Sequence, residues 1–497
     1  MLRFILSVCA CFSFALPVTL WAQEDKEEPK EAEERHEEKL EAAEEEFVPL
    51  SELKPLEVDK TYAERHSFQY GLSAANTFIV DTNFLPNGYF LGNYRPYFKY
   101  IFEERHIFNA RGRFAYKNNP SLTDAQKKTG SPASTAEYNI ELFNAELNFD
   151  RHQITAGRAF YKLGRGLLFA NFADGAEYNG SFRYFQIKGQ ALYSGQYSGC
   201  TISIGGCATT GDIAQKSPYD IVPGRPADAN LPDAGKRLFF STEVQSPQLY
   251  GSSAYFVAMY SRDMNRDASA GATNKGNNYA FDPLYLGLGL SGFIITPRLR
   301  YLTEFVYETG ATYDKANQRV GISAWGWTSD INYSLPWLEN LLKPGVIFQY
   351  ATGSGRSSAN TNPNNPSQES TGTDNNFYYF GVYSAGLALK PKLANLHIFR
   401  LGFQFKPLHH FYWGRNLMLA LKYTYYLKAN SAASISDNDA KLAKAVVGQG
   451  VDVQLVWDFR SDVKLFYAYG AFLPSEAYDA ANAKTLQTHI ISLNFLF

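Results

Sequence analysis

From about Arg65 to the C-terminus, apolar and polar residues alternate with a period of two, not the 3.6 of a helix. Phe68, Tyr70 and Leu72 share one face, with Ser67, Gln69 and Gly71 opposite. Phe108, Ala110 and Phe114 alternate with Asn109, Arg111 and Arg113. Leu299, Tyr301, Phe305 and Tyr307 alternate with Arg298, Arg300, Glu304 and Glu308. Later, Leu417, Leu419, Leu421 and Tyr423 alternate with Lys422 and Thr424, and Val451, Val453, Leu455 and Trp457 with Asp452, Gln454 and Asp458. Successive side chains of a strand point to opposite faces, so each segment predicts a strand with one apolar and one polar side. The runs are roughly ten to fourteen residues long, against the five or six common in soluble sheets.

Connections alternate between short and long. Glu103–Arg105, Asp150–Arg151, Thr296–Pro297 and Arg460–Ser461 read as tight turns, while 118–136, 194–235, 263–279, 353–376 and 430–446 are long polar stretches. This rhythm and strand length predict a transmembrane antiparallel barrel, all-β, because lipid cannot satisfy an open sheet edge. Strand parity counted from both ends agrees when 377–395 belongs to the loop before it, which gives about eighteen strands. Asn139 and Glu141 share a face, whereas Asn144, Glu146 and Asn148 fall on the other, so a bulge is expected near Phe143. Ser252 to Ser261 shows no clear inner face.

Composition sharpens this picture. Aromatics make up 15% of the chain, with 34 tyrosines and 37 phenylalanines, and no apolar run after the start approaches the ~20 residues of a spanning helix. Residues 1–22 read as a signal peptide: Arg3, an apolar stretch from Phe4 to Leu20, and a cleavage point near Trp21-Ala22-Gln23. Residues 23–62 form an acidic periplasmic extension and linker, and 63–497 the barrel. Glu24 to Glu46 holds thirteen acidic against four basic residues, a net −9. The whole-chain −2, less the +1 of Arg3, then leaves residues 47–497 at +6. The mature chain keeps two cysteines, Cys200 and Cys207, expected to form a disulfide pinning one loop in an oxidising compartment.

The chain ends Ile491-Ser492-Leu493-Asn494-Phe495-Leu496-Phe497. Its alternation, with Phe495 and Phe497 at the last odd positions, resembles the signal that outer-membrane barrels present to their assembly machinery. Two further stretches resemble the alginate-export family of outer-membrane porins. One is Ile154-Thr155-Ala156-Gly157-Arg158-Ala159-Phe160, followed by Leu163-Gly164-Arg165-Gly166-Leu167-Leu168 and Asp174-Gly175-Ala176-Glu177. The other is Gly448-Gln449-Gly450-Val451-Asp452-Val453, with Tyr467 to Gly470 and Phe472-Leu473-Pro474. The resemblance implies an eighteen-stranded monomeric channel in the bacterial outer membrane, some of whose relatives export anionic polysaccharide through an arginine-lined pore.

Taking the polar parity as inward, basic pore-lining candidates are Arg95, Lys99, Arg111, Arg113, Arg183, Lys188, Arg237, Arg298, Arg300 and Lys422. Acidic ones are Glu177, Glu243, Glu304, Glu308, Asp330, Asp452 and Asp458. Guanidinium groups in a pore offset the lost hydration of an anion, while opposite charges on neighbouring strands simply pair and hold the wall. Arg158 reaches the lumen only if the chain breaks register near Gly157, and Arg165 belongs to a loop at the mouth. Enzyme motifs are poor. Gly287-Leu288-Gly289-Leu290-Ser291-Gly292 fits a dinucleotide pattern, yet it lies within a strand, and His409-His410 point to opposite faces of any strand. The expected function is a passive channel for small or oligomeric, anionic or sugar-like solutes, without catalysis, metal or cofactor and with no nucleic-acid partner. An adhesin or receptor that uses the barrel as an anchor remains the alternative, on the strength of the long loops.

Overall fold

The computed structural model describes residues 66–81, 85–118, 134–194, 237–263, 281–294, 298–313, 319–336, 342–356, 372–437, 439–458 and 460–497. The expected signal peptide, the acidic segment, and Cys200 with Cys207 lie outside the described residues.

The alternating segments form strands β1 (Ser67–Asp81), β2 (Leu85–Phe102), β3 (His106–Asn118), β4 (Ser134–Phe149), β5 (His152–Leu163), β6 (Phe169–Ser181), β7 (Gln186–Tyr193), β8 (Arg237–Gln245), β9 (Ser252–Asp263) and β10 (Phe281–Phe293). They continue as β11 (Leu299–Tyr313), β12 (Arg319–Ser334), β13 (Gly345–Gly353), the two-residue β14 (Thr373–Asp374), β15 (Leu396–Phe405), β16 (Leu417–Lys428), β17 (Val446–Asp458), β18 (Val463–Pro474) and β19 (Leu486–Leu496). Eighteen of these make a closed antiparallel ring in chain order. β13 pairs directly with β15, and β19 returns to β1 from Ser73↔Leu496 to Asp81↔Thr488. Phe497 N donates to Leu72 O at 2.8 Å and Leu72 N to Phe497 O at 3.0 Å, so the last residue completes the seam. Closure leaves no ring edge for lipid to meet. The short β14 stands outside the ring and runs parallel to β12.

The outer face carries exposed Phe68, Tyr70, Phe143, Phe240, Leu288, Leu290, Phe305, Leu401, Leu421 and Ile491. Apolar exposure on this scale marks a lipid contact. The bulge expected near Phe143 lies at Glu141: Arg111 pairs with Leu142 and Gly112 with Ile140, leaving Glu141 as the extra residue. It brings Glu141 to the same inner face as Asn144, both buried.

Two segments enter the barrel. β5 pairs with β4 only as far as Phe143↔Arg158, and β6 with β7 only as far as Asp174↔Tyr193. Beyond these points, among the described residues, Ala159–Leu163 and Phe169–Ala173 pair with each other and, at Phe169, with Phe380, so the hairpin leaves the wall. It departs at Gly157, whose φ of +115° no other residue adopts without strain, and where a Cβ would meet the Phe143 carbonyl. The second segment is 377–395, which is loop as strand parity requires. Phe380 N donates to Leu168 O (3.2 Å), Gly381 N to Leu167 O (2.9 Å) and Val382 N to Gly166 O (3.0 Å). Gly381 is needed because any side chain there would strike the Gly166 and Leu167 carbonyls.

The hydrophobic core therefore lies inside the barrel. Leu163, Leu167, Leu168 and Phe169 of the hairpin pack with Phe377 and Phe380 against Phe239, Val257, Met259, Phe281, Tyr285, Val306 and Ile322 of the wall. Phe239 is the hinge of this packing, 4.9 Å from the Phe169 ring and 5.1 Å from Phe380. Here is the reason Ser252 to Ser261 shows no polar face: Tyr255, Val257, Met259 and Ser261 point inward beneath the core. The glycine run of β10 belongs to the same packing, since a Cβ on Gly289 would fall on the Tyr255 ring.

Candidate functional site

The hairpin turns one face toward the core and its back toward the wall of β2–β4. That back face carries Arg158, Phe160, Phe172 and Asp174, residues of lipid-facing parity that the departure from the wall turns inward. Phe172 lies with its ring centroid 5.8 Å from the Arg111 guanidinium, and Phe160 5.3 Å from Phe172. Phe160 is 53% exposed, although it no longer lies in the wall.

Across from it, three arginines converge on one carboxylate. Arg95 Nε lies 2.9 Å from Glu141 Oε2, Arg111 Nε 3.0 Å, and Arg113 Nε 4.0 Å from Oε1. Arg113 also donates to Asn93 Oδ1 at 3.0 Å. Three positive charges on one negative leave a surplus of two on a cluster where each arginine side chain is about a third exposed. Water-accessible guanidinium groups with surplus charge attract anions and still exchange them.

Arg158 has a different task. It is 5% exposed, pairs with Asp174 at 3.0 Å, and donates through Nε to Ile140 O at 2.6 Å. Ile140 lies on the stretch of β4 that β5 has left, so the guanidinium caps a carbonyl the ladder no longer satisfies. The register break that would bring Arg158 inward does occur, but the residue braces the exit of the hairpin.

Several acidic candidates also hold the inserts in place. Glu304 accepts from Arg165 N (3.0 Å) and Tyr255 Oη (2.7 Å) and is buried. Glu308 accepts from Tyr378 N at 2.8 Å, Glu243 from Gly164 N at 2.8 Å, and Asp452 from Leu387 N at 3.3 Å. Asp330 pairs with Arg165 at the hairpin tip. Instead of lining open water, Glu304 and Asp452 therefore tie loop backbone to the wall. Lys188 pairs with Glu243 at 3.5 Å, Lys422 reaches Gln454 at 3.3 Å, and Arg237 is fully buried against Asp263 at 3.0 Å.

Arg183, expected in the lumen, sits exposed in the turn after β6, with its guanidinium 5.1 Å from the Tyr184 ring centroid. Arg298 lies in the turn before β11, whereas Arg300 is one strand position further in, over Phe293 at 5.3 Å. Asp458 pairs with Lys464 at 3.2 Å near the β17–β18 turn, both exposed. The terminal Phe495 and Phe497 rings stack at 5.9 Å. Phe160, Phe172, Asp174, Glu141 and Arg400 were missed as site residues. For Glu141 the conflicting parity of β4 was the available signal; for the hairpin residues the only hint was Gly157 next to Arg158. Among the described residues, no group of three or more His, Cys, Asp or Glu could hold a metal ion.

Comparison with known proteins agrees with this architecture. The sequence profile of the family described as alginate export matches residues 232–491, just over half of the chain. No curated protein matches the sequence. Among solved structures, OccK5 (OpdH) of Pseudomonas aeruginosa superposes with a TM-score of 0.55 at 10% identity, covering 88% of this chain and 99% of its own. OpdK of the same organism gives 0.55 at 9% identity, covering 88% and 100%. OccAB4 of Acinetobacter baumannii gives 0.52 at 10%, covering 87% and 98%. The second motif pair, at 448–474, falls within the family match, and the first, at 154–177, precedes it. An eighteen-stranded barrel with this profile is an outer-membrane channel for small solutes, and the chain belongs to the alginate-export family.

Proposed function

We propose that solutes cross the barrel through the strait between the β2–β4 wall and the back of the β5–β6 hairpin, and that it favours anionic, sugar-like molecules. The observation that carries this reading is the convergence of Arg95, Arg111 and Arg113 on the single Glu141, with Phe172 against Arg111 and the exposed Phe160 beside Phe172. The cations supply counter-charge for a carboxylate or similar group, and the phenyl rings offer an apolar surface to the face of a sugar or other ring. Passage is passive, without catalytic step or cofactor. A structural relative, OpdK, was crystallised with vanillate, which suits a barrel of this shape carrying a small ligand. The alternating end strand, closed on Leu72 by Phe497, serves as the signal to the assembly machinery.

Single-channel conductance of the refolded mature protein in a planar bilayer, under a salt gradient, tests the reading. The expected result is an anion-favouring reversal potential that moves toward zero when Arg95, Arg111 and Arg113 are changed to Ala. An unchanged potential in the triple variant, or no conductance from correctly folded protein, would overturn it.

A further inference from the structure

A second cationic site lies on the far wall. A cavity of about 230 Å3 opens between the hairpin tip, residues 382–384 and the inner faces of β12, β13, β15 and β16, lined by Arg165, Thr328, Gln349, Tyr383, Arg400 and Lys422 among others. Three cations line it and no carboxylate does. Arg400 is buried, yet its guanidinium meets only neutral acceptors: Thr424 Oγ1 at 3.1 Å, Gln349 Oε1 at 3.1 Å, Ser384 O at 2.9 Å and Ala385 O. Lys422 likewise reaches a neutral oxygen, Gln454 Oε1. The adjoining acids are Asp330, paired with Arg165, Glu304, which accepts from Arg165 N, and Asp452, which accepts from Leu387 N. Arg400 and Lys422 share the single carboxylate of Asp452, a local surplus of one, while Arg165 is matched by Asp330 and Glu304.

Three buried polar atoms at the cavity's edge have no hydrogen-bond partner: Arg165 Nη1, Thr328 Oγ1 and Tyr383 Oη. Unpaired buried donors are rare because each forfeits its hydration without replacement, and an uncompensated buried charge is dearer still. One bound anion with two or more acceptor oxygens answers both deficits. The volume is below the ~300 Å3 at which drug-sized sites begin, so the occupant is small.

We propose that this cavity binds a small monovalent oxyanion of the carboxylate class, held by Arg165, Arg400 and Lys422. The anion is a resident and not cargo. It bridges the hairpin tip, the 377–395 segment and the wall, and so locks both inserts in their docked position. It is independent of the strait at β2–β4 and of what passes there.

Isothermal titration of sodium acetate into the refolded mature protein, in low-chloride buffer, tests the site, with sodium sulfate as a divalent comparison. Saturable binding of one acetate per chain is expected. Lys422→Met should weaken it about tenfold or more, as the loss of one charge-assisted contact implies. Thr328→Val, a smaller change, should weaken it while leaving the barrel folded. Arg95→Ala with Arg111→Ala should leave it intact even though the reversal potential moves. Absence of saturable binding, loss of acetate binding only in the Arg95/Arg111 variant, or binding that survives both Lys422→Met and Thr328→Val would overturn the proposal. Tighter binding of sulfate than of acetate would overturn the monovalent assignment.

Discussion

The docking of the two inserts rests on a backbone contact that a single methyl group should break. Gly381 packs so closely on the hairpin that a Cβ would run into the carbonyl oxygens of Gly166 and Leu167. Both obstacles are main chain, so neither can rotate aside. Gly381→Ala must therefore lift 380–382 off the hairpin and lose the three hydrogen bonds to Leu168, Leu167 and Gly166. At a net value near 1 kcal/mol each, the loss is about 3 kcal/mol. That amounts to roughly a hundredfold fall in the ratio of docked to undocked insert. Phe380 would leave its place between Phe239, Phe281 and Tyr285 at the same time. Gly381 takes no part in the strand ladders of the ring, so the barrel should still form and still migrate as a heat-modifiable species in gels. Single-channel recordings should show a larger and noisier conductance than the unaltered protein. Val382→Ala, at a partly exposed position where no collision arises, should leave conductance nearly unchanged. Identical conductance and noise from folded Gly381→Ala would refute the idea that these inserts restrict the lumen.

Other variants probe the charges. Glu141→Gln raises the surplus of the arginine cluster from two to three and should strengthen anion preference, whereas Arg111→Gln should weaken it; opposite shifts of the reversal potential are the check. Arg158→Met strands Asp174 and the Ile140 carbonyl at the exit of the hairpin. Breaking a buried pair typically costs about 3–5 kcal/mol, so the urea midpoint of refolding should fall, with partial recovery in Arg158→Met/Asp174→Asn. Lys392 in the second insert, 5.8 Å from the Tyr378 ring centroid, has its pKa pushed down to about 8 from 10.5 by burial. Between those values the undocked segment binds the proton and the docked one does not, so docking strengthens as pH rises through that window and is weakest, and level, below about 8, where both forms hold the proton. Gating noise should accordingly fall between pH 7 and pH 10, and Lys392→Met should flatten the response.

The strands were legible because alternation is a local property. One face of Leu299–Tyr313 must meet lipid, and its apolar residues say which. The assignment of 377–395 to a loop followed from parity, since a closed antiparallel ring of this kind needs an even count, and counting the alternating segments then came to about eighteen. The bulge at Glu141 was legible for the same reason: a slip of one residue exchanges the two faces, and the polar residues of β4 record it. The sequence by itself thus determined a barrel of about eighteen strands and which side of most strands faces outward.

What covers the inner face was a different matter, because periodicity distinguishes two faces without naming what lies against either. Tyr255, Val257 and Met259 meet a hydrophobic core where water was the ordinary expectation, and Glu304 and Asp452 bind loop backbone in place of solute. Those outcomes depend on contacts between residues far apart in the chain, such as Glu304 with Arg165 and Gly381 with Leu167. The hairpin is the clearest case. Phe160 and Phe172 have the parity of lipid-facing residues, and they line the lumen only because their strands part from β4 and β7 beyond Arg158 and Asp174. Where a ladder stops depends on what the departing segment can pack against, and that is decided by the tertiary structure alone.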